Sequence, residues 1–193
     1  MTAQMMLPQP MNRNLFLAKQ VDQSSINDVS KSIIAINEND EHIRRVYEAY
    51  DISYNPKPIN LYIDSYGGQV YQCFGLLGIM KSSKIPIHTI VTGCAMSCGF
   101  LISIAGHKRL GYPKSTYLYH QVSGGAVGKS KDLEEEVIEV LRLQEMIEEH
   151  TIEKTKISKS RLKRVYKNKT DWFIDTEEAL KLKIIDEIMW FCF

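Results

Sequence analysis

Residues 86–106 read PIHTIVTGCAMSCGFLISIAG, and the pattern changes character in the middle. PIHTIVT, residues 86–92, is a β-branched run of strand length. SCGFLISIAG is a longer apolar run and reads as a helix. Between them GCAMSCG, residues 93–99, is made mostly of small residues around a single serine, Ser97. A buried strand that turns sharply into a buried helix is the unit of an α/β fold. The same unit occurs just upstream, where INLYID, residues 59–64, is followed by the turn SYGG and a helix from about Gln69 to Ser82. This repeated strand–turn–helix order predicts an α/β fold with a mostly parallel sheet.

Outward from that pair, NLFL (14–17) opens a short strand. Ser24 or Ser25 then caps a helix reaching about Tyr50, with Ile26, Val29, Ile33, Ile34, Ile36 and Ile43 near helical spacing. DISYNPKP is a loop by composition. KRLGYP and STYLYH supply two short strands around a proline turn. The longest helical signal runs from Ser130 to about Lys156, carrying Leu133, Val137, Val140, Leu141, Leu143 and Met146. Asp132 and Glu134–Glu136 lie in its first turns, where acidic side chains complement the helix dipole. NKTDWF is loop-like between two helices, and TEEALKLKIIDEIM closes the chain with a short helix and a strand-like run.

The chain has 193 residues, enough for one substantial domain, here 14–193 behind a flexible N-terminal arm, 1–13. At this size roughly 70% of the unfolded surface is buried on folding, so no disulfide or metal staple is required. A net charge of +1 gives no reason to expect nucleic acid or an anionic membrane as partner. The basic stretch KISKSRLKRVYKNK, 156–169, reads as a solvated helix face. Cys73, Cys94, Cys98 and Cys192 lack paired zinc spacing and are expected to be small, buried and reduced in a cytoplasmic protein. No apolar segment approaches the ~18 residues of a membrane span, and MTAQMMLPQPMNRN lacks the apolar core of a secretory signal.

Three features carry chemistry. The glycines of SYGG let the backbone turn with its amides uncovered, so Gly68 N–H can serve an oxyanion, although a plain tight turn fits as well. Ser97 stands where a helix begins, with small residues before it to let a carbonyl approach, but it equally fits a helix N-cap. His120 ends an apolar run ahead of the glycines 124 and 125, as a base or as a packed histidine. His42, His88, His107 and His150 lack such surroundings and read as structural or surface residues. A serine nucleophile needs a base, and the base needs an acceptor to hold its tautomer. Among many carboxylates, Asp171 in NKTDWF has the best sequence setting, but pattern alone does not select it.

YIDSYGG, GCAMSCG, HQVSGGAVG, TDWF and EEALKLKIIDEI occur in the order and spacing of the Clp protease proteolytic subunit family, and the resemblance runs from about residue 14 to 189. It implies a compact fold of repeated ββα units related to the crotonases, with a protruding handle at about 122–156. It implies Ser97 as nucleophile, His120 as general base and Asp171 as the carboxylate that orients it. Gly68 and Cys98 would supply the oxyanion amides, and Gly124 and Gly125 would begin the substrate groove. The activity implied is a serine endopeptidase cutting unfolded polypeptides within stacked seven-membered rings. No cofactor is implied, ATP being spent by a separate unfoldase of the AAA+ type. Apolar positions on more than one face of the long helix agree with a partner covering it.

The chain departs from the family pattern at Lys169-Thr170, where an acid and an arginine precede the triad aspartate, and at Asn60, where an aromatic is frequent. Tyr66 and Val122 stand in place of prolines, and the N-terminal segment is short. Those differences bear on ring stacking and on docking of an unfoldase. Two other readings are a non-catalytic ring subunit working with an active paralogue, and a dedicated processing protease of the phage type. A crotonase-like acyl-CoA enzyme would share the fold but has no need of Ser97.

Overall fold

The computed structural model describes residues 7–125 and 127–190. Strands β1 (Asn14–Leu17), β2 (Ile59–Ser65), β3 (Ile87–Met96) and β4 (Lys108–Gly111) lie side by side and parallel. β5 (Thr116–Tyr119), β6 (Trp172–Ile174) and β7 (Glu187–Ile188) complete the sheet. Six helices accompany them among the described residues: α1 (Gln23–Glu48), α2 (Val70–Ser82), α3 (Cys98–Ile104), α4 (Ser130–Lys154), α5 (Lys159–Asn168) and α6 (Thr176–Lys181). The expected α/β class with a mostly parallel sheet is what the chain adopts, and among the described residues only the β5–β6 pair is antiparallel.

β3 organises the molecule because it has two different neighbours on one side. His88 to Val91 pair with β4, while Cys94 to Met96 pair with β5. On its other side β2 follows it, with a register irregularity between Ile63 and Ser65. The sheet therefore forks around Thr92–Gly93, one branch continuing to β4 and β7 and the other to β5 and β6. The strand runs four residues beyond the 86–92 expected from β-branched content. GCAM has weak intrinsic strand preference, and its pairing with β5 outweighs that preference.

Ile33, Ile36, Leu61, Ile63, Leu76, Ile87, Phe100 and Ile104 are all at most 1% exposed and belong to one core cluster that joins helices to sheet. Burying a side chain of that size stabilises by roughly 1.5–3 kcal/mol. α1 is capped two residues ahead of Ser24 and three ahead of Ser25. Its cap is Asp22, which accepts from Ser25 N–H at 2.8 Å while Ser25 Oγ accepts from Asp22 N–H at 3.0 Å. Ser25 is thus the third residue of a reciprocal capping box. Arg13 and Asp40 form a buried ion pair ahead of β1, and the Tyr54 hydroxyl donates to Asp40 at 2.8 Å.

The loop expected at NKTDWF is corrected by the structure. Trp172–Ile174 form β6, paired with Tyr119, Leu118 and Tyr117. α5 ends on Lys169 in the left-handed conformation (φ 51°), whose N–H reaches back to Tyr166 and Val165 carbonyls. That reversal delivers Thr170 and Asp171 to the start of β6.

α4 is buried only at Leu143, Gln144, Ile147 and Thr151, while Leu133, Val137, Ile138 and Leu141 are exposed. Cys73, Cys94 and Cys98 are free thiols in the interior, and Cys192 lies outside the described residues. Met1–Met6 of the N-terminal arm lie outside them too. Among the described residues no helix is long and apolar enough to cross a membrane.

Candidate active site

Three neighbouring strands end at one place. Ser97 follows the last residue of β3, His120 follows the last residue of β5, and Asp171 precedes the first residue of β6. Because β5 and β6 pair antiparallel with Tyr119 opposite Trp172, the ladder carried one step further sets His120 opposite Asp171.

Ser97 has φ 53° and ψ −121°, a region β-carbon-bearing residues seldom occupy. Its N–H donates to the Leu118 carbonyl at 3.0 Å, and it makes no side-chain capping bond to α3. The hydroxyl is therefore turned away from the role of N-cap that the sequence also allowed. A strained backbone of this kind costs on the order of 1–3 kcal/mol and persists only where its surroundings hold it.

The SYGG turn is wrapped against that serine. Gly67 and Gly68 both have positive φ, 94° and 149°. A β-carbon on Gly67 would stand 2.6 Å from Met96 O, 2.6 Å from Ser97 Cβ and 2.9 Å from Cys98 N. Val21 N–H donates to Gly67 O and Gln69 N–H donates to Val21 O, a parallel bridge that leaves the Gly68 amide facing the other way. The Gly68 carbonyl in turn accepts from the Cys98 thiol at 3.2 Å. Cys98 is the first residue of α3, so its N–H has no partner within that helix. Contact with the Cys73 thiol, the largest effect, holds the Cys98 thiol below its ordinary range, while the same contact and burial push Cys73 well above it. Sequence inspection singles out Gly68 and misses Gly67. Only the pairing of two glycines hints that both are needed.

The small residues before Ser97 do not open a path for substrate. Ala95 is fully buried opposite Ser65, and a β-carbon on Gly93 would lie 2.6 Å from Asp64 Oδ1. Small size there lets β3 pack against β2.

Ser97, Cys98, Gly68 and His120 line one small cleft, closed by Val70, Leu101, Tyr119, Val122 and Ile147. His120 is half-buried, and its Nδ1–H donates to the neighbouring Gln121 carbonyl at 2.5 Å. That bond puts the proton on Nδ1 and leaves Nε2 free to accept one. Asp171 is exposed and does not line the cleft, and the proton on Nδ1 is held by Gln121 O instead. Gly124 and Gly125 lie in the exposed segment between β5 and α4, with open space around both.

Two of the other histidines are structural, as expected. His107 Nδ1 accepts from Ile87 N–H at 3.0 Å, and His150 Nε2 donates to Leu101 O at 3.1 Å. Burial pulls His150 below the ordinary histidine value. Among the described residues no group of three or more histidine, cysteine or acidic side chains could hold a metal.

The Clp protease family model matches residues 3–190. The chain belongs to the Clp protease family. It is 36% identical over 140 residues to the ATP-dependent Clp protease proteolytic subunit of Deinococcus radiodurans, covering 71% of this chain and 68% of that one. It is 31% identical over 180 residues to the ATP-dependent Clp protease proteolytic subunit 2 of Prochlorococcus marinus, covering 92% and 82%. As a Clp-type protease the chain is an enzyme of the serine peptidase class. The parallel sheet and its helices are the Clp protease fold.

Proposed function

We propose that this protein is a serine endopeptidase that hydrolyses unfolded polypeptides inside an oligomeric chamber, with Ser97, His120 and Asp171 as its triad. The observation that supports it most is the convergence of Ser97 and His120 on one cleft that Gly68 and Cys98 also line. Ser97 Oγ attacks the peptide carbonyl while His120 Nε2 takes its proton. The amides of Gly68 and Cys98 hold the oxyanion, the second strengthened by the N-terminus of α3. His120 then protonates the leaving amine, and a water activated by the same ring releases the acyl group. For Asp171 to steady the imidazolium, the His120 Nδ1–H leaves the Gln121 carbonyl and turns across the β5–β6 ladder. Gly124 and Gly125 would let a substrate strand lie alongside the segment before α4.

No metal or organic cofactor enters this chemistry. The relatives' names specify ATP dependence, which in this chain is assigned to a separate AAA+ unfoldase that threads substrate inward. Exposed Leu133, Val137, Ile138 and Leu141 on α4 are apolar surface that a second copy would cover. Seven-membered rings stacked in pairs through this handle, in the cytoplasm, are the assembly we favour, with residues 14–193 acting as one peptidase domain.

The test is labelling with a fluorophosphonate beside Ser97→Ala, each sample sized by gel filtration. Labelling of the wild type alone, in a large particle, supports the proposal. Absence of labelling with and without an added unfoldase or paralogue would favour the non-catalytic ring subunit.

A further inference from the structure

Gln144 is a polar side chain only 5% exposed on a largely solvated helix, and it faces the body with Leu143, Ile147 and Thr151. Its hydrogen bonds are unusual in where they land. Gln144 Oε1 accepts from Val122 N–H at 2.9 Å. Its Nε2 donates to the Tyr119 hydroxyl at 3.4 Å and to Glu148 Oε1 at 2.9 Å. Tyr119 is the residue before His120, and Val122 is the second residue after it. One amide therefore grips the chain on both sides of the histidine.

Tyr119 is already held in β5 opposite Trp172, so the grip on Val122 is the one the sheet does not duplicate. Among its described residues the segment after Tyr119 has no strand or helix until α4, so Val122 N–H has no ladder to join. Tyr119 is buried edge-on against Phe100 of α3, with ring centres 5.9 Å apart, and its hydroxyl points at Gln144. Val122 and Ile147 both line the cleft that holds Ser97 and His120. An amide suits this position beside Glu148. It accepts from a backbone N–H with one end and donates to a phenol and a carboxylate with the other.

We propose that Gln144 is a positioning residue for the reaction, fixing the His120 segment to α4 so that the imidazole stays over Ser97. This rests on the peptidase reading of the site. It also gives α4 a second function, since any partner that steadies that helix steadies the histidine through Gln144.

The test compares wild type, Gln144→Met, Gln144→Glu and the exchange Gln144→Glu with Glu148→Gln, all in the full chain. Steady-state cleavage of a short peptide gives kcat and KM, while gel filtration and thermal melting report assembly and folding. Gln144→Met is expected to lose at least ten-fold in kcat with KM within two-fold. The exchange variant rebuilds the pair with roles reversed. The carboxylate at position 144 then accepts from Val122 N–H, from the Tyr119 hydroxyl and from the new amide at position 148. It is expected to recover to within about three-fold of wild type. A kcat for Gln144→Met within two-fold of wild type, or an exchange variant no better than it at equal assembly, would overturn the proposal. Should Gln144→Met fail to fold, Gln144→Glu replaces it. That variant sets two carboxylates side by side and should fall at least five-fold below the exchange variant at pH 8, and equal rates would overturn the idea. A wild type with no Ser97-dependent labelling refutes the peptidase reading itself and is distinguished by that control.

Discussion

Gly67 lies so close to Ser97 that a β-carbon on the glycine would stand 2.6 Å from Ser97 Cβ. The turn after β2 and the turn after β3 are thus packed backbone to backbone, and the unusual φ of Ser97 is held by that contact. Gly67→Ala should shift Ser97 and the Cys98 amide together. We expect at least a hundred-fold slower fluorophosphonate labelling, about 2.7 kcal/mol in barrier. The positive φ and the clash should also lower stability, by about 1–3 kcal/mol. Labelling kinetics and a denaturant melt on one preparation check both.

Asp171 is exposed at the start of β6, so Asp171→Asn should leave the melting temperature within about 2 °C, as for surface substitutions generally. With the carboxylate orienting His120 during turnover, kcat falls by roughly 10⁴-fold, the loss known for the Asn variant of the third triad member. Peptide turnover together with a thermal melt distinguishes the two effects.

On α4, Val137 is 58% and Leu141 50% exposed. Val137→Glu with Leu141→Glu should leave the fold intact and reduce the particle to one ring or smaller, with loss of peptidase activity. Sedimentation velocity reads the size directly.

His150 sets an acid limit. Burial holds its pKa below the ordinary histidine value of 6.5, so the folded state favours the neutral ring and the unfolded state binds the proton first. Stability is therefore full above about pH 6.5 and declines as the pH falls through and below that value. The Leu101 carbonyl also requires a donor. His150→Gln retains one and should flatten the decline, which urea melts between pH 5 and 8 would reveal.

Much of this was legible because the informative segments are local. INLYID–SYGG and PIHTIVT–GCAMSCG each hold a strand, glycines and a helix start within a short span, so the existence of β2, β3, α2 and α3 follows from local composition. β6 was not legible. Trp172–Ile174 is three residues long, and what makes it a strand is pairing with Tyr117–Tyr119, more than fifty positions away. The extension of β3 to Met96 has the same origin. Gln144 escaped notice because a polar residue on a charged helix reads as solvent-facing, although 144, 147 and 151 form an inward stripe at helical spacing. The placement of Asp171 at the step of the β5–β6 ladder opposite His120 is set by long-range register, so only the resemblance to a family pointed to it.

The most direct measurement is the rate of fluorophosphonate attachment to the full-length protein beside Ser97→Ala and His120→Ala, with the modified residue located by mass spectrometry. Modification of Ser97 alone is expected, absent in Ser97→Ala and at least a thousand-fold slower in His120→Ala, about 4 kcal/mol in barrier. Modification at another residue, or a rate indifferent to His120, would contradict the account of this cleft as a serine peptidase site.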